Sequence, residues 1–431
     1  ANINSYLWGA SITRMPTGLG MGYRQSNIAN PFIQWEKQEM YNLGVDLGFF
    51  QNRIDLIVDM YLKKSSDMLM DMQLPSYMGT RGNASARLNP PMGNFGEIEN
   101  RGIEISLNTR PLTRQLQWNS DFTFSLNKNK LVALTGSPTA HIEGYGQWSD
   151  VVSLSTIGAS LYNFYGFMVD GIYTSKEDIM NSPRTEAFPK DGVTFERDRT
   201  VWVGDLKFKD ISGPEGKPDG VIDSYDRTNL GSPIPKFTFG FNNTFRYKSW
   251  ELNVFMNGAY GNKIMNYIGR SLNGMNSLWT NQLAIANDRT LLGAIDASKV
   301  YYDADGNEIE GWFNDIDNVR IVRMGKDGLP RAIVGDPNNN RRISDRYIED
   351  GSYLRIKNVS LAYYVPERYT QRVGLSSVKV YTNLQNLYTF TKYTGFDPEI
   401  GASQTSANVY GLDNGRYPSP RIYTFGVNVA F

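Results

Sequence analysis

The chain has 431 residues, 44 basic and 44 acidic side chains, one histidine and no cysteine. These counts exclude a disulfide framework, a thiolate metal site, a cysteine nucleophile and a histidine-rich zinc site. Zero net charge argues against a nucleic-acid binder, which needs a clustered basic surplus.

No run approaches the ~18 apolar residues of a membrane helix. A barrel strand needs apolar residues only at alternate positions, so a membrane barrel has the mean hydropathy of a soluble chain. The opening ANINSYLWGA has no initiator methionine, basic n-region or apolar h-region, which fits a processed chain or a fragment.

Period-two alternation dominates from there on. In RIDLIVDMY, Ile54, Leu56, Val58 and Met60 share one face, with Arg53, Asp55 and Asp59 on the other. Ile103, Ile105 and Leu107 alternate with Glu104, Ser106 and Asn108; then Trp118, Phe122, Phe124 and Leu126 alternate with Asn119, Asp121, Thr123 and Ser125. KFTFGFNNTFRY and WELNVFMNGAY are separated only by Lys248 and Ser249, a hairpin turn. In SYLRIKNVSLAYYV the phase slips between Ile356 and Val359, as a β-bulge produces. The final strand places Tyr423, Phe425, Val427, Val429 and Phe431 on one face.

The spacing predicts about twelve strands, near 4–13, 41–50, 53–64, 96–109, 116–127, 161–173, 198–209, 236–247, 250–260, 351–365, 377–390 and 421–431. Many have the ~9–11 residues of a tilted membrane strand. Short connections alternate with long ones near 65–95, 128–160, 210–235, 261–350 and 391–420. That asymmetry predicts an all-β, antiparallel transmembrane barrel with long extracellular loops. Residues 174–197 break the rule, being too long for a turn, so that either a neighbouring strand is misassigned or the segment folds into the lumen. A soluble sandwich or propeller also alternates, with its apolar face in a core.

Several blocks resemble the SusC/RagA-type TonB-dependent transporters. They are GNFGEIENRGIEISLN (93–108), YGFMVDGIY (165–173) with GDLKFKD (204–210), DGVID (219–223) and LGSPIPKFTFGF (230–241). EDGSYLRIKNVSLAYYVP (349–366), VYTNLQNLYTFTKYTGFDPEI (380–400) and the ending YPSPRIYTFGVNVAF complete the set. The resemblance runs from about residue 35 to 431 and implies the C-terminal part of a barrel of about 22 strands. The family's N-terminal plug has no counterpart in the sequence. It further implies import of oligosaccharides or oligopeptides across the outer membrane of a Gram-negative bacterium, a SusD-like surface lipoprotein as lid, and TonB acting through the missing N-terminal region. Membrane lipid surrounds such a barrel, and neither catalysis nor a required cofactor is implied. The competing class is a soluble β-rich glycan-binding protein or glycoside hydrolase.

Asp210, Asp219, Asp223 and Asp226, with Gly220 for a turn, are spaced somewhat like a calcium loop and are candidate ligands for calcium or magnesium. PEGKP (214–218) interrupts the spacing, and an Asx-rich turn capping its own backbone is the plainer reading. Acid pairs at Asp303/Asp305, Glu308/Glu310 and Asp315/Asp317 sit in a polar loop where charge is expected. Tyr145, Trp148, Trp279 and Trp312 are candidate stacking platforms for sugar rings or peptide side chains. Ile264, Tyr267, Ile268 and Leu272 predict a short amphipathic helix within 262–290.

Overall fold

A computed structural model describes residues 8–72, 76–78, 88–134, 140–147, 149–401 and 408–431. Among them, nine strands form one antiparallel sheet in which every neighbour in space is the neighbour in sequence. They are β1 (Lys37–Phe49), β2 (Ile54–Asp71), β3 (Met92–Thr113), β4 (Leu116–Ala133), β5 (Phe237–Tyr247), β6 (Trp250–Tyr260), β7 (Tyr353–Tyr364), β8 (Ser377–Thr391) and β9 (Ile422–Ala430).

The register turns each strand's alternation into one surface. Leu43 pairs with Met60, Met60 with Ile103, and Ile103 with Leu126. Farther along, Phe241 faces Phe122 and Met256, Val254 faces Val359, and Val359 faces Leu384. Val380 and Val427 carry the band to β9. Much of this face is open, Phe425 to 78%, and a contiguous apolar surface of that extent needs a non-aqueous cover. In β2 the band covers Ile54 to Leu62, about the thickness a tilted membrane strand spans. Beyond it, the same face turns charged at Lys64, Glu99, Arg101 and Lys128. Inside the band the Trp118 indole N–H donates to Asn243 Oδ1 at 3.0 Å, and its ring stacks on Phe245.

The other face is polar, and glycine makes room there for tyrosine. Tyr61 lies across Gly102, where a Cβ would stand 2.5 Å from its hydroxyl, and Tyr381 lies across Gly426 in the same way. The expected bulge is present: both ladders of β7 shift register around Lys357. Lys357 and Asn358 therefore both turn to the polar side, and the apolar phase resumes at Val359.

At one end the strands are joined by short connections, 50–53, 114–115, 248–249 and 365–376. At the other end the connections are 72–91, 134–236, 261–352 and 392–421. Nine of the twelve predicted strands are therefore in the sheet and three are not. Segment 161–173 is split into Asn163–Gly166 and Val169–Ile172, and 198–209 retains only Leu206–Phe208. Val201, Trp202 and Val203 are consecutive and all buried, so their surroundings are a packed core on every side, not a two-faced wall. This resolves the anomaly at 174–197, which is the middle of one long connection. The segment 4–13 begins outside the described residues; the strand there, Ile12–Thr17, pairs only with Gly20–Gln25 among those described.

The long connections fold on one another. Lys263–Asn266 pairs antiparallel with Ile348–Asp350 and parallel with Leu412–Asp413. A hydrophobic cluster joins Val152 and Phe164 to Met265, Tyr347 and Leu412, and a second joins Tyr173 and Trp202 to Ile316 and Val319. The predicted helix is Tyr267–Leu272, its first turn closed by Asn266 accepting from the Gly269 N–H at 2.8 Å. Ile264 lies in the preceding strand instead.

Candidate functional site

The polar face of the sheet carries Asp55, Asp59, Glu104, Asp121, Asn242, Thr244 and Asn253. Its amides are tied laterally: Asn253 donates to Asn242 Oδ1 at 2.8 Å and Thr244 Oγ1 at 3.0 Å, and Asn242 to Asp121 at 3.3 Å. Such a wall is hydrated and tolerates charge, the property of a lumen.

Near the long-connection end, Arg355 on β7 draws the 392–421 connection inward across that wall. Its guanidinium is 3% exposed and meets Asp397, Glu399 Oε2 at 2.7 Å and Thr389 Oγ1 at 2.9 Å. Lys357, displaced to this side by the bulge, adds a 3.3 Å contact to Glu399. A cavity of about 480 Å3 remains beside this junction, lined by Tyr353, Lys357, Glu399, Tyr410 and Arg416.

Above the sheet, the connections 134–236 and 261–352 are locked by a buried ion pair. Asp205 accepts from Arg331 Nε at 2.8 Å and Nη2 at 3.1 Å, from the Asn340 amide at 3.0 Å and from the Trp202 N–H at 2.9 Å. Beside it lies a cavity of about 930 Å3, lined by Arg197, Met275, Arg289, Trp312, Phe313 and Arg331 among others.

No protein-family model matches the chain. It is 32% identical to TonB-dependent receptor P3 of Formosa agariphila over 94% of this chain and 35% of that receptor. Identity to receptor SusC of Bacteroides thetaiotaomicron is 23%, over 93% of this chain and 32% of the relative. The solved RagAB peptide transporter superposes with a TM-score of 0.69 at 20% identity, covering all of this chain and 39% of that one. The chain is similar to part of TonB-dependent receptors of the SusC/RagA type. It spans about a third of the length of the relatives it matches. The nine-stranded sheet is accordingly part of an outer-membrane barrel wall, its apolar band facing lipid and its polar face the lumen.

The sequence-predicted residues all fall in the long connections, not in the wall, and are dispersed there. Asp226 is fully buried and accepts from the backbone N–H groups of Ile211, Ser212 and Asp223. Asp223 accepts from Tyr225 N–H, Asp219 from Val221 N–H, and Asp210 from Gly220 N–H. Each carboxylate closes a turn of its own connection, and among the described residues no group of three or more acids or histidines is arranged for a metal ion. Trp312 lines the 930 Å3 cavity, its indole held by Glu310 at 2.8 Å. Tyr145 lines a different cavity of about 570 Å3 with His141 and Tyr162. Trp279 is 95% exposed, and Trp148 lies outside the described residues.

The acid pairs are also committed locally. Asp303 accepts from the N–H groups of Asp305 and Asn307, and Asp315 from Lys299 at 2.5 Å and Tyr301 at 2.9 Å. Sequence reasoning missed Asp205, Arg331, Arg355, Asp397 and Glu399. Four of the five, all but Arg331, fall inside the family-like blocks GDLKFKD, SYLRIKN and GFDPEI. An arginine on the polar side of an alternating strand was the available signal.

Proposed function

We propose that this chain forms part of the wall and the external loops of a TonB-dependent importer that takes up oligosaccharides or oligopeptides. The observation carrying the reading is the division of one continuous meander into a lipid band and a polar lumen face, with every long connection gathered at one end. Substrate is captured at that end, the extracellular one, under a SusD-like lipoprotein lid, and TonB drives its passage through the part of the receptor outside this chain. The solved structures with matching fold include a peptide transporter, which supports an oligomeric substrate without choosing between peptide and glycan. In this reading Trp312, Tyr145 and Trp279 supply flat apolar surface to sugar rings or side chains, with Trp312 and Tyr145 already lining cavities.

The test is uptake of fluorescent oligopeptides and oligosaccharides by cells carrying the full receptor. Uptake of one class is expected, lost on receptor deletion or on collapse of the proton gradient. Release of the receptor from membranes without detergent, or uptake indifferent to the gradient, overturns the reading.

A further inference from the structure

The short-connection end of the sheet carries a charge excess that the wall does not need. Residues 50–53, 110–115, 246–251 and 364–379 contain eight basic and two acidic side chains, in a chain whose total charge is zero. Backbone bonds string these segments into one rim. Arg110 N–H donates to Arg53 O at 2.8 Å, Tyr247 pairs with Leu116, Tyr364 N–H donates to Ser249 O at 2.8 Å, and Val365 N–H to Val378 O at 2.9 Å.

Two of the eight have partners on the lumen side, and Lys248 and Arg368 lie over the rings of their neighbours Tyr247 and Tyr369. Arg246 pairs with Glu251 at 2.6 Å, and Lys379 lies over the Tyr364 and Tyr381 rings. The other six, Arg53, Arg110, Arg114, Lys248, Arg368 and Arg372, are all exposed. Arg53 anchors the neighbouring turn through the Arg110 and Pro111 carbonyls. Among the described residues none of the six has a carboxylate within ion-pair distance, Arg246–Glu251 being the ion pair found at this end. They are interleaved with exposed amphipathic and apolar side chains, Leu112, Tyr247, Trp250 and Tyr369, where the lipid band ends.

Cations set at the edge of an apolar band, beside Tyr and Trp, meet phosphate at the depth of lipid headgroups. We propose that this rim binds the headgroups of anionic glycerophospholipids in the leaflet at the short-connection end, the periplasmic one. The mixture of guanidinium forks and aromatic rings matches a phosphodiester attached to acyl chains, with the forks taking phosphate oxygens and the rings the glycerol and first methylenes. The inference rests on reading the sheet as a membrane wall.

The full receptor, purified from outer membranes and placed in nanodiscs of equal phosphatidylcholine and phosphatidylglycerol, is the material for the test. Native mass spectrometry is expected to find phosphatidylglycerol retained over phosphatidylcholine by about tenfold, less at high salt. The variant Arg110→Gln, Arg114→Gln, Lys248→Gln, Arg368→Gln, Arg372→Gln spares the Arg53 anchor and is expected to lose the preference while keeping heat-modifiable gel migration. Equal retention of both lipids by the unmodified receptor, an unchanged preference in the variant, or retention of lipopolysaccharide phosphates in their place overturns the proposal. The salt dependence of the unmodified receptor decides it even where the variant does not fold. A receptor that needs no detergent instead overturns the wall reading itself.

Discussion

Arg331 and Asp205, 126 residues apart in sequence, form a two-pronged ion pair, at 2.8 and 3.1 Å, that joins two connections. Asp205 is fully buried and Arg331 is 4% exposed, so neither charge has water to fall back on. A buried pair of this kind adds little relative to an apolar substitute, yet removing one partner strands the other. Arg331→Ala is therefore expected to cost about 3–5 kcal/mol, concentrated in the loop lobe. Hydrogen exchange should rise in 200–209 and 331–342 while the sheet stays protected; uniform exchange across the chain would show that the pair does not hold the lobe. Adding Asp205→Asn should recover part of the loss.

The inward connection at Arg355 is expected to respond to acid. Burial by itself raises the Asp397 carboxyl, and the Glu399 N–H, the Arg355 guanidinium and the Ser419 N–H outweigh it, leaving the carboxyl below the usual carboxylate range. A depressed carboxylate contributes stability that is complete above its unfolded value, about 3.9, and is lost as pH falls through the folded one. Proteolysis within 392–421 should thus be flat from neutral pH down to the ordinary carboxylate value and accelerate below it. Asp397→Asn should cleave rapidly at every pH, and a profile unchanged by that substitution would contradict the assignment.

The two faces of β5 differ sharply in what they tolerate. Phe241 lies in the lipid band and Asn242 on the lumen side. Phe241→Arg is expected to destabilise the barrel by about 2–4 kcal/mol, whereas Asn242→Arg should cost less than about 1 kcal/mol. Urea unfolding of the full receptor in bilayers, followed by gel mobility, measures both, and equal costs would refute the facing.

At the acidic turn, Asp226 should matter most, because its carboxylate serves three backbone N–H groups in a buried setting. Asp226→Ala leaves those donors unmet, at about 1–3 kcal/mol each where water cannot enter. Asp219→Ala should have little effect on an exposed turn. Chelation with EDTA is expected to leave protease resistance at 210–226 unchanged; a sensitivity reversed by calcium would restore the cation reading.

Strand order, facing and the bulge at Lys357 were legible because a membrane wall imposes period two on every strand, and period two is visible residue by residue. The segments 161–173 and 198–209 misled because their apolar residues serve a core formed between distant connections. Such a core needs apolar side chains on all sides, so a run such as Val201–Trp202–Val203 copies a strand's composition without its alternation. The candidate aromatics were visible only as residue types. The cavity Trp312 lines is set by how 134–236 packs on 261–352, and the one Tyr145 lines by how 140–162 packs on the sheet end and Asn408.

The sequence by itself therefore determined the local alternation, the turns and the resemblance to an outer-membrane receptor, since lipid on one side and water on the other constrain each strand separately. Only the tertiary structure decided what the charged residues do. Asp205 with Arg331, and Arg355 with Asp397 and Glu399, are brought together across long separations, and an ion pair depends on distance in space, which no local pattern records.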